Sequence, residues 1–235
     1  MQKNELREEI NKVIAGKCDD PFSILGIHTT PDRMEIRAFI PEATQVHVLH
    51  KETGKKLITL EKIDDKGFFI GKTKQFKKPF PYLLDIRWGD YHEIREDPYR
   101  FWILLQEIDS WLISEGKHLR AYEKLGAHPI TFGDVQGVMF AVWAPNAKRV
   151  AVVGDFNFWD GRQNPMRLRK EMGVWELFIP YARIGQLYKY ELIDHNDHLI
   201  LKADPYAFCT ELRPNTASQI VNLPAKVGQG KIHEK

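Results

Sequence analysis

The sequence predicts an all-β protein with two tandem immunoglobulin-like β-sandwiches, a short N-terminal helix and a partly helical linker. Three observations support this fold class. A motif around Pro41 recurs around Pro145, several short segments alternate apolar and polar residues, and turn-forming residues separate these segments. Alternation with a period of two is typical of strands, and short strands at this spacing are typical of β-sandwiches.

The internal repeat is the strongest of these observations. MEIRAFIPEATQVHVLH surrounds Pro41 and VMFAVWAPNAKRVAVVG surrounds Pro145, an offset of 104 residues. The offset grows only to 107 between Asp97 and Asp204, each of which precedes a proline. So small a drift indicates one folding unit copied in tandem with short insertions. A feature that only one copy has is therefore a better candidate for function than for fold.

The repeat divides the 235 residues into two units, each near the commonest domain size. We predict an N-terminal β-sandwich module with a leading helix over residues 1–106 and a linker over 107–128. The second sandwich is predicted over 129–225, and a flexible tail over 226–235.

The first element is predicted to be an amphipathic helix at about residues 4–15. Apolar residues recur there at helical spacing, and Gly16 follows as a stop signal. They are Leu6, Ile10, Val13 and Ile14.

Strands follow in both copies. In the first copy, Met34, Ile36 and Ala38 alternate with polar or outward residues, which predicts a half-buried strand. Further strands are predicted around Val46–Val48 and over 56–60, 67–71, 82–88 and 91–95. The second copy is predicted to have strands over 138–143, 149–153, 174–179, 188–193 and 199–202.

The segment between the copies, EIDSWLISEGKHLRAYEKLG, has a partial helical pattern around Gly116. We predict that it is a helical or irregular linker that packs between the sandwiches.

Composition excludes several classes of protein. The net charge is +2 and the basic residues are dispersed, which gives no electrostatic footprint for nucleic acid or an anionic membrane. Cys18 and Cys209 are too few and too distant for a disulfide framework or a metal site. No apolar run approaches the roughly 20 residues that span a bilayer, and the charged start indicates no signal peptide. We expect a cytoplasmic protein without cofactor or metal.

The second copy has a loop that the first lacks, GDFNFWDGRQNPM, which supplies Asn157, Trp159 and Asp160. Two interpretations of Trp159 stay open: it caps the edge of the core, or it is exposed for binding. Lys189 is the other difference, since it aligns with Leu83 and is expected to face outward. An outward lysine is usually only solvated.

Together these residues indicate a sugar site. An indole stacks on the C–H face of a pyranose while Lys, Asn or Asp hydrogen-bonds its hydroxyl groups. Trp159, Asn157, Asp160 and Lys189 are therefore the candidate carbohydrate-binding residues. Trp175 is predicted to be structural, because Phe69 occupies the equivalent position in the first copy.

These residues also carry a family resemblance. GDFNFWDGRQNPMRLRKEMGVWELFIP, GQLYKYELID, KADPYAF and RPNTAS resemble the N-terminal region of bacterial glycogen branching enzymes, over about residues 18–223. The resemblance implies that the second sandwich is a family 48 carbohydrate-binding module and the first a related N-terminal module. It implies an α-1,4-glucan, such as glycogen or a malto-oligosaccharide, as the ligand.

In that family a glycoside hydrolase family 13 barrel follows and forms α-1,6 branches by double displacement. Such a barrel needs on the order of 250 residues, so we expect this chain to lack it, to hold no catalytic residue and to be inactive alone. Acidic residues of the sandwiches are predicted to be turn and surface groups: Asp155, Asp160, Glu176 and Asp204.

The resemblance also predicts weak binding. In related glycogen-binding modules two tryptophans stack on the sugar; one corresponds to Trp159, with the lysine at Lys189, but the second falls on Leu201. We therefore expect millimolar affinity. Three roles remain open: an accessory segment that works with the catalytic barrel of the same enzyme, an independent glucan-binding module, and a structural spacer.

Overall fold

The computed structural model describes residues 3–102 and 104–222, so the predicted tail over 226–235 lies outside it. The all-β class is confirmed. Within the described ranges the helices are α1 (Lys3–Ile14) and α2 (Glu107–Ser114). The strands of the first half are β1 (Gly26–Thr29), β2 (Met34–Phe39), β3 (Gln45–His50), β4 (Lys56–Asp64), β5 (Phe68–Thr73), β6 (Tyr82–Trp88) and β7 (Tyr91–Glu96). Those of the second half are β8 (Gly126–Phe132), β9 (Val135–Trp143), β10 (Arg149–Gly154), β11 (Arg167–Arg169), β12 (Val174–Pro180), β13 (Leu187–Ile193), β14 (Leu199–Lys202) and β15 (Ser218–Gln219).

The seven strands of the first half form one bent antiparallel sheet in the order β1-β2-β5-β4-β3-β6-β7. Strand β4 allows the bend, because it pairs with β3 up to Leu60 and with β5 from Glu61 onward. The two parts of the sheet enclose a core that includes Val46, Phe69 and Tyr82. The first half is thus sandwich-like, with its two layers joined through a shared strand.

The second half consists of two separate four-stranded sheets. One has the order β10-β13-β14, with β15 also paired to β13, and the other has the order β11-β12-β9-β8. Phe140, Trp175, Tyr188 and Tyr190 are buried in the core. Trp175 also donates a 2.9 Å hydrogen bond from Nε1 to the backbone oxygen of Ala144, which confirms its structural role.

The repeat extends to individual contacts. Gly67 and Gly173 both have positive φ, and a Cβ at either would lie within about 3 Å of Pro41 or Pro145, the two prolines that define the repeat. Only glycine fits this close approach without strain. The same tight crossing therefore recurs in both halves.

The two Asp-Pro pairs also have matching roles. Asp97 accepts a hydrogen bond from the Tyr82 hydroxyl, and Asp204 accepts one of 2.7 Å from that of Tyr188. Each also accepts the backbone N–H two residues further on. Burial raises the pKa of both carboxyl groups, although their tyrosine partners oppose the rise. The prediction that Asp204 is a turn and surface group was wrong, because it is a buried acceptor beneath the turn.

Strands β1 and β8 were not predicted, although a signal for them exists. Each begins within a Leu-Gly-x-His sequence, at Gly26 and Gly126, and each glycine has a positive φ against the backbone of a tyrosine. The histidines, His28 and His128, each bond a backbone oxygen of the preceding turn. This pair of motifs is a further part of the repeat.

Strand β2 is not half-buried as predicted, because every one of its residues is buried. Phe39 belongs to the same hydrophobic cluster as Val13 and Cys18 of the N-terminal segment. Glu35 and Arg37 satisfy each other in a 3.0 Å ion pair. The face expected to meet solvent is therefore covered by the α1 region and by an internal charge pair.

The two halves are in direct contact. Tyr99 donates a 3.1 Å hydrogen bond to the backbone oxygen of Pro165, and the Arg167 guanidinium lies 4.4 Å from the ring centre of Phe22. Residues of both halves also belong to one hydrophobic cluster. The boundaries at 106 and 128 remain a prediction. The two sandwiches, however, pack directly against each other and are not joined by the linker alone.

The linker is partly helical, as predicted, but it does not pack between the sandwiches. Leu125 of the linker and Leu105, just before it, join Met139 and Val174 in a cluster on the outer face of the β9–β12 sheet. These side chains give that face an apolar surface, and the linker buries it. The linker is thus part of the second half.

The two thiols are expected to react at very different rates. Cys18 is buried, and burial raises the pKa of its thiol to about 11, whereas Cys209 is half-buried. A rise of two pKa units alone lowers the thiolate fraction about 100-fold near neutral pH. At pH 8 we expect a disulfide reagent to modify one thiol per folded chain and the second only in denaturant. A Cys209→Ser variant isolates Cys18, and rapid modification of that variant while folded would contradict the prediction.

Candidate functional site

The loop that distinguishes the second half leaves β10 at Gly154 and returns at Asn164. Its first turn is tight, because the backbone N–H groups of Asn157 and Trp159 both donate to the Gly154 oxygen at 3.1 Å. Phe158 and Trp159 have φ angles of 54° and 61°. Left-handed backbone is uncommon for non-glycine residues, and where it occurs it must be held by the surroundings.

Asn157 is what holds this turn. It is 2% exposed. Its Oδ1 accepts from the Gly154 N–H at 2.9 Å, and its Nδ2 donates to the Val152 oxygen and to Asn164 Oδ1. All of its hydrogen-bonding atoms therefore face inward. Contact of Asn157 with sugar stays a prediction, and the role that these bonds support is positioning of the loop.

Trp159 is on the surface, with 40% of its area exposed, and it belongs to none of the described core clusters. Its Nε1 donates to Asp155 Oδ1 at 3.2 Å, and Asp155 Oδ2 accepts from the Leu187 N–H at 2.8 Å. The indole is thereby tied to the start of β13. The structure supports the exposed interpretation of Trp159 over the capping one.

Lys189 lies two residues beyond Leu187 on the same face of β13. The rise along the strand between these two residues is about 7 Å. It is half-buried, and its Nζ donates to the hydroxyl of Thr216 at 2.8 Å. The expected alternation holds, since Tyr188 and Tyr190 point into the core. Trp159 and Lys189, predicted separately, are thus brought to one surface.

Asp160 is less available than predicted. Its carboxylate accepts hydrogen bonds from the backbone N–H and the Nε of Arg162, at 2.9 and 3.0 Å. Burial raises the pKa of this carboxyl group, but the hydrogen bonds and charge of Arg162 outweigh that effect and lower it. Arg162 in turn bonds Glu42 of the first half. Asp160 therefore holds Arg162 at the junction of the two halves.

Three exposed residues near this surface were not predicted. Phe158 is 78% exposed beside Trp159, and Thr216 is the partner of Lys189. Leu212 is exposed in the same turn segment as Thr216. Aromatic character next to Trp159 was a usable signal for Phe158. No local signal identifies Thr216, because it approaches Lys189 only through the pairing of β15 with β13.

We call the surface formed by Trp159, Lys189, Leu201 and Thr216 the platform. Leu201 belongs to it because it pairs directly with Glu191 and so shares the outward face of β13. An exposed indole, an ammonium group and a hydroxyl on a rigid sheet can stack on a sugar ring and hydrogen-bond its rim. Within residues 3–102 and 104–222, no cluster of His, Cys, Asp or Glu could hold a metal ion, and no helix is long and apolar enough to cross a membrane.

Two family models match the chain. Residues 6–99 match the N-terminal domain of the alpha-1,4-glucan branching enzyme GlgB, and residues 124–207 match carbohydrate-binding module 48, the isoamylase N-terminal domain. The second match contains the loop with Trp159 and the strand with Lys189.

Among solved structures, pullulanases are similar to this chain. The apo pullulanase of Paenibacillus barengoltzii is 21% identical over 47% of this chain and 18% of its own, with a TM-score of 0.35. The pullulanase of Anoxybacillus sp. LM18-11, solved with maltotetraose, is 17% identical over 85% of this chain and 27% of its own, with a TM-score of 0.35. The chain thus spans less than a third of the length of either protein.

Proposed function

We propose that this chain binds an α-1,4-glucan at the platform, because its first half matches the N-terminal domain of the branching enzyme GlgB and its second half matches carbohydrate-binding module 48. Its role in this proposal is that of an N-terminal accessory segment of a branching enzyme. In the complete enzyme, the platform would keep a glucan close to a catalytic barrel that transfers an α-1,4 piece to a 6-hydroxyl. We also propose that the protein is cytoplasmic, as the sequence favours.

One observation carries the proposal: an exposed indole held in left-handed backbone and aligned with an outward lysine. Keeping Trp159 exposed in that conformation costs free energy that the fold must offset through Asn157 and Asp155. A stacking contact between the exposed indole and a pyranose ring would account for this cost. Leu201 offers an apolar contact but no second aromatic face, so the affinity is expected to be millimolar.

Replacing Trp159 with alanine is expected to weaken binding of maltoheptaose by about 10-fold, equivalent to about 1.4 kcal/mol. The reason is that the stacking face is lost while the fold is retained. Titration followed by amide chemical shifts measures this, with changes expected in the wild type at Trp159, Asp160 and Lys189. Trp111→Ala removes another exposed indole, from α2, and is the matched control.

Equal affinities of wild type and Trp159→Ala would contradict the platform proposal. The absence of any shift at Lys189 in millimolar maltoheptaose would do the same. In that case the remaining role is a spacer that orients the catalytic barrel, a role that the contacts between the two halves support.

A further inference from the structure

A second exposed indole of the second half lies at the end of β9. Trp143 shares the outer face of this strand with Met139 and Ala141, which the linker covers, yet it is itself 57% exposed. Phe39 holds the equivalent place in the first half, also two residues before the proline of the repeat, and is only 7% exposed. Exposure of an aromatic side chain at this position is therefore a feature of one copy, and is a candidate for function.

Trp143 lines a groove of about 290 Å³ between the end of β9 and strand β14. Leu192 and Ile200, both half-buried, supply most of the remaining apolar surface of the groove. Three polar side chains at the surface also line it: Asn146, His195 and Lys202. An apolar cleft with a few polar groups at its rim is the usual composition of a small-molecule site.

The polar groups of the groove are available to a ligand. Among residues 3–102 and 104–222, the side chains of Asn146, His195 and Lys202 have no hydrogen-bond or ion-pair partner. Asp194, the acidic residue of the groove, is instead occupied, because it accepts the backbone N–H groups of Asn196 and His198 at 2.8 and 2.9 Å. The free groups include an amide and an ammonium beside an indole face, which suits a ligand with hydroxyl groups around a C–H surface.

The groove and the platform lie on opposite sides of β14. Successive side chains of a strand point to opposite faces, so Leu201 belongs to the platform while its neighbours Ile200 and Lys202 line the groove. In the described part of the chain, β14 pairs only with β13, so its other edge is open. A glucan that crosses this edge would pass directly from the platform to the groove.

We propose that this groove is a second α-glucan subsite, in which the Trp143 indole stacks on a sugar ring while Asn146 and Lys202 hydrogen-bond its hydroxyl groups. The proposal rests on the glucan binding proposed above and extends it across the open edge of β14. It gives the second half a second aromatic contact with the ligand, which the platform lacks because Leu201 offers no aromatic face.

The test is a titration with maltoheptaose, followed by amide chemical shifts and by the indole Nε1–H signals. In the wild type, the ligand is expected to shift the Trp143 indole signal and the amides of Asn146 and Lys202, as well as the signals of Trp159. Trp143→Ala is expected to lower the affinity about 5-fold and to abolish the shifts at Asn146 and Lys202, while those at Trp159 remain.

Lys202→Gln is a second variant at an exposed position, expected to lower the affinity about 3-fold, and Lys78→Gln, at an exposed lysine of the first half, is its control. The groove proposal is overturned if maltoheptaose shifts the Trp159 signals but not those of Trp143, Asn146 and Lys202. Shifts at the groove alone would support the groove and contradict the platform. If neither set moves at millimolar ligand, glucan binding itself fails, and the groove with it. The wild-type titration decides the matter even if Trp143→Ala does not fold.

Discussion

Replacing Glu176 with alanine is expected to lower the free energy of unfolding by about 3–5 kcal/mol, the range for removing one partner of a buried charge pair. Glu176 is fully buried. Its carboxylate accepts from Arg167 at 2.6 Å, from Arg169 at 3.3 Å and from the backbone N–H of Leu105 at 3.0 Å. The prediction from sequence, that Glu176 is a turn and surface group, was therefore wrong.

The effect is expected to be large because Glu176 joins three parts of the molecule. Leu105 lies just before the linker, Arg167 packs against Phe22 of the first half, and Glu176 itself lies in β12 of the second half. Its loss leaves a buried guanidinium and a buried N–H without an acceptor. Both the attachment of the linker and the contact between the halves are weakened.

Urea denaturation followed by tryptophan fluorescence measures this change. Glu171→Ala is the matched control, because Glu171 bonds the same Arg169 but is half-exposed, at 50% of its side chain. An exposed pair of this kind is worth at most about 1 kcal/mol. Similar losses for Glu171→Ala and Glu176→Ala would contradict the central role given to the buried carboxylate.

Much of the fold was predictable, because strand periodicity is a local property. The alternation in β6 and β14 gave the observed limits, 82–88 and 199–202, and the repeat supported each strand through its copy. The strands that were not predicted are short or have an irregular pattern. Strand β1 has four residues, and β8 contains Pro129 in a run that otherwise alternates poorly.

Burial of polar groups was not predictable, because it depends on neighbours that are distant in sequence. Glu176 is bonded by the backbone N–H of Leu105, and β2 is covered by residues of the α1 region. From sequence alone, such polar residues are expected to be exposed to solvent. Asn157 was likewise placed among the ligand contacts because of its type. Its position inside the turn depends on the path of the loop back to Asn164.

Only part of the platform was predictable, because the rest of it also depends on neighbours that are distant in sequence. Trp159 and Lys189 could be found by comparing the copies, since neither has an equivalent in the first. Thr216 could not, because it approaches Lys189 only through the pairing of β15 with β13.

Replacing Asn157 with alanine is expected to lower the free energy of unfolding by about 2–4 kcal/mol and to weaken maltoheptaose binding at least about 10-fold. The substitution leaves the Gly154 N–H, the Val152 oxygen and Asn164 without their buried partner. Without that support the left-handed backbone at Trp159 is expected to relax. Binding is then weakened although the side chain removed faces the protein interior.

The comparison with Trp159→Ala makes this prediction specific. Trp159→Ala is expected to lose binding without losing stability, whereas Asn157→Ala is expected to lose both. Denaturation and the maltoheptaose titration, applied to both variants, separate a contact residue from a positioning residue. Asn196→Ala, in an exposed turn of the second half, is the control and is expected to change stability by no more than about 0.5 kcal/mol. Normal glucan affinity in a destabilised Asn157→Ala variant would show that the platform does not depend on the conformation of this turn.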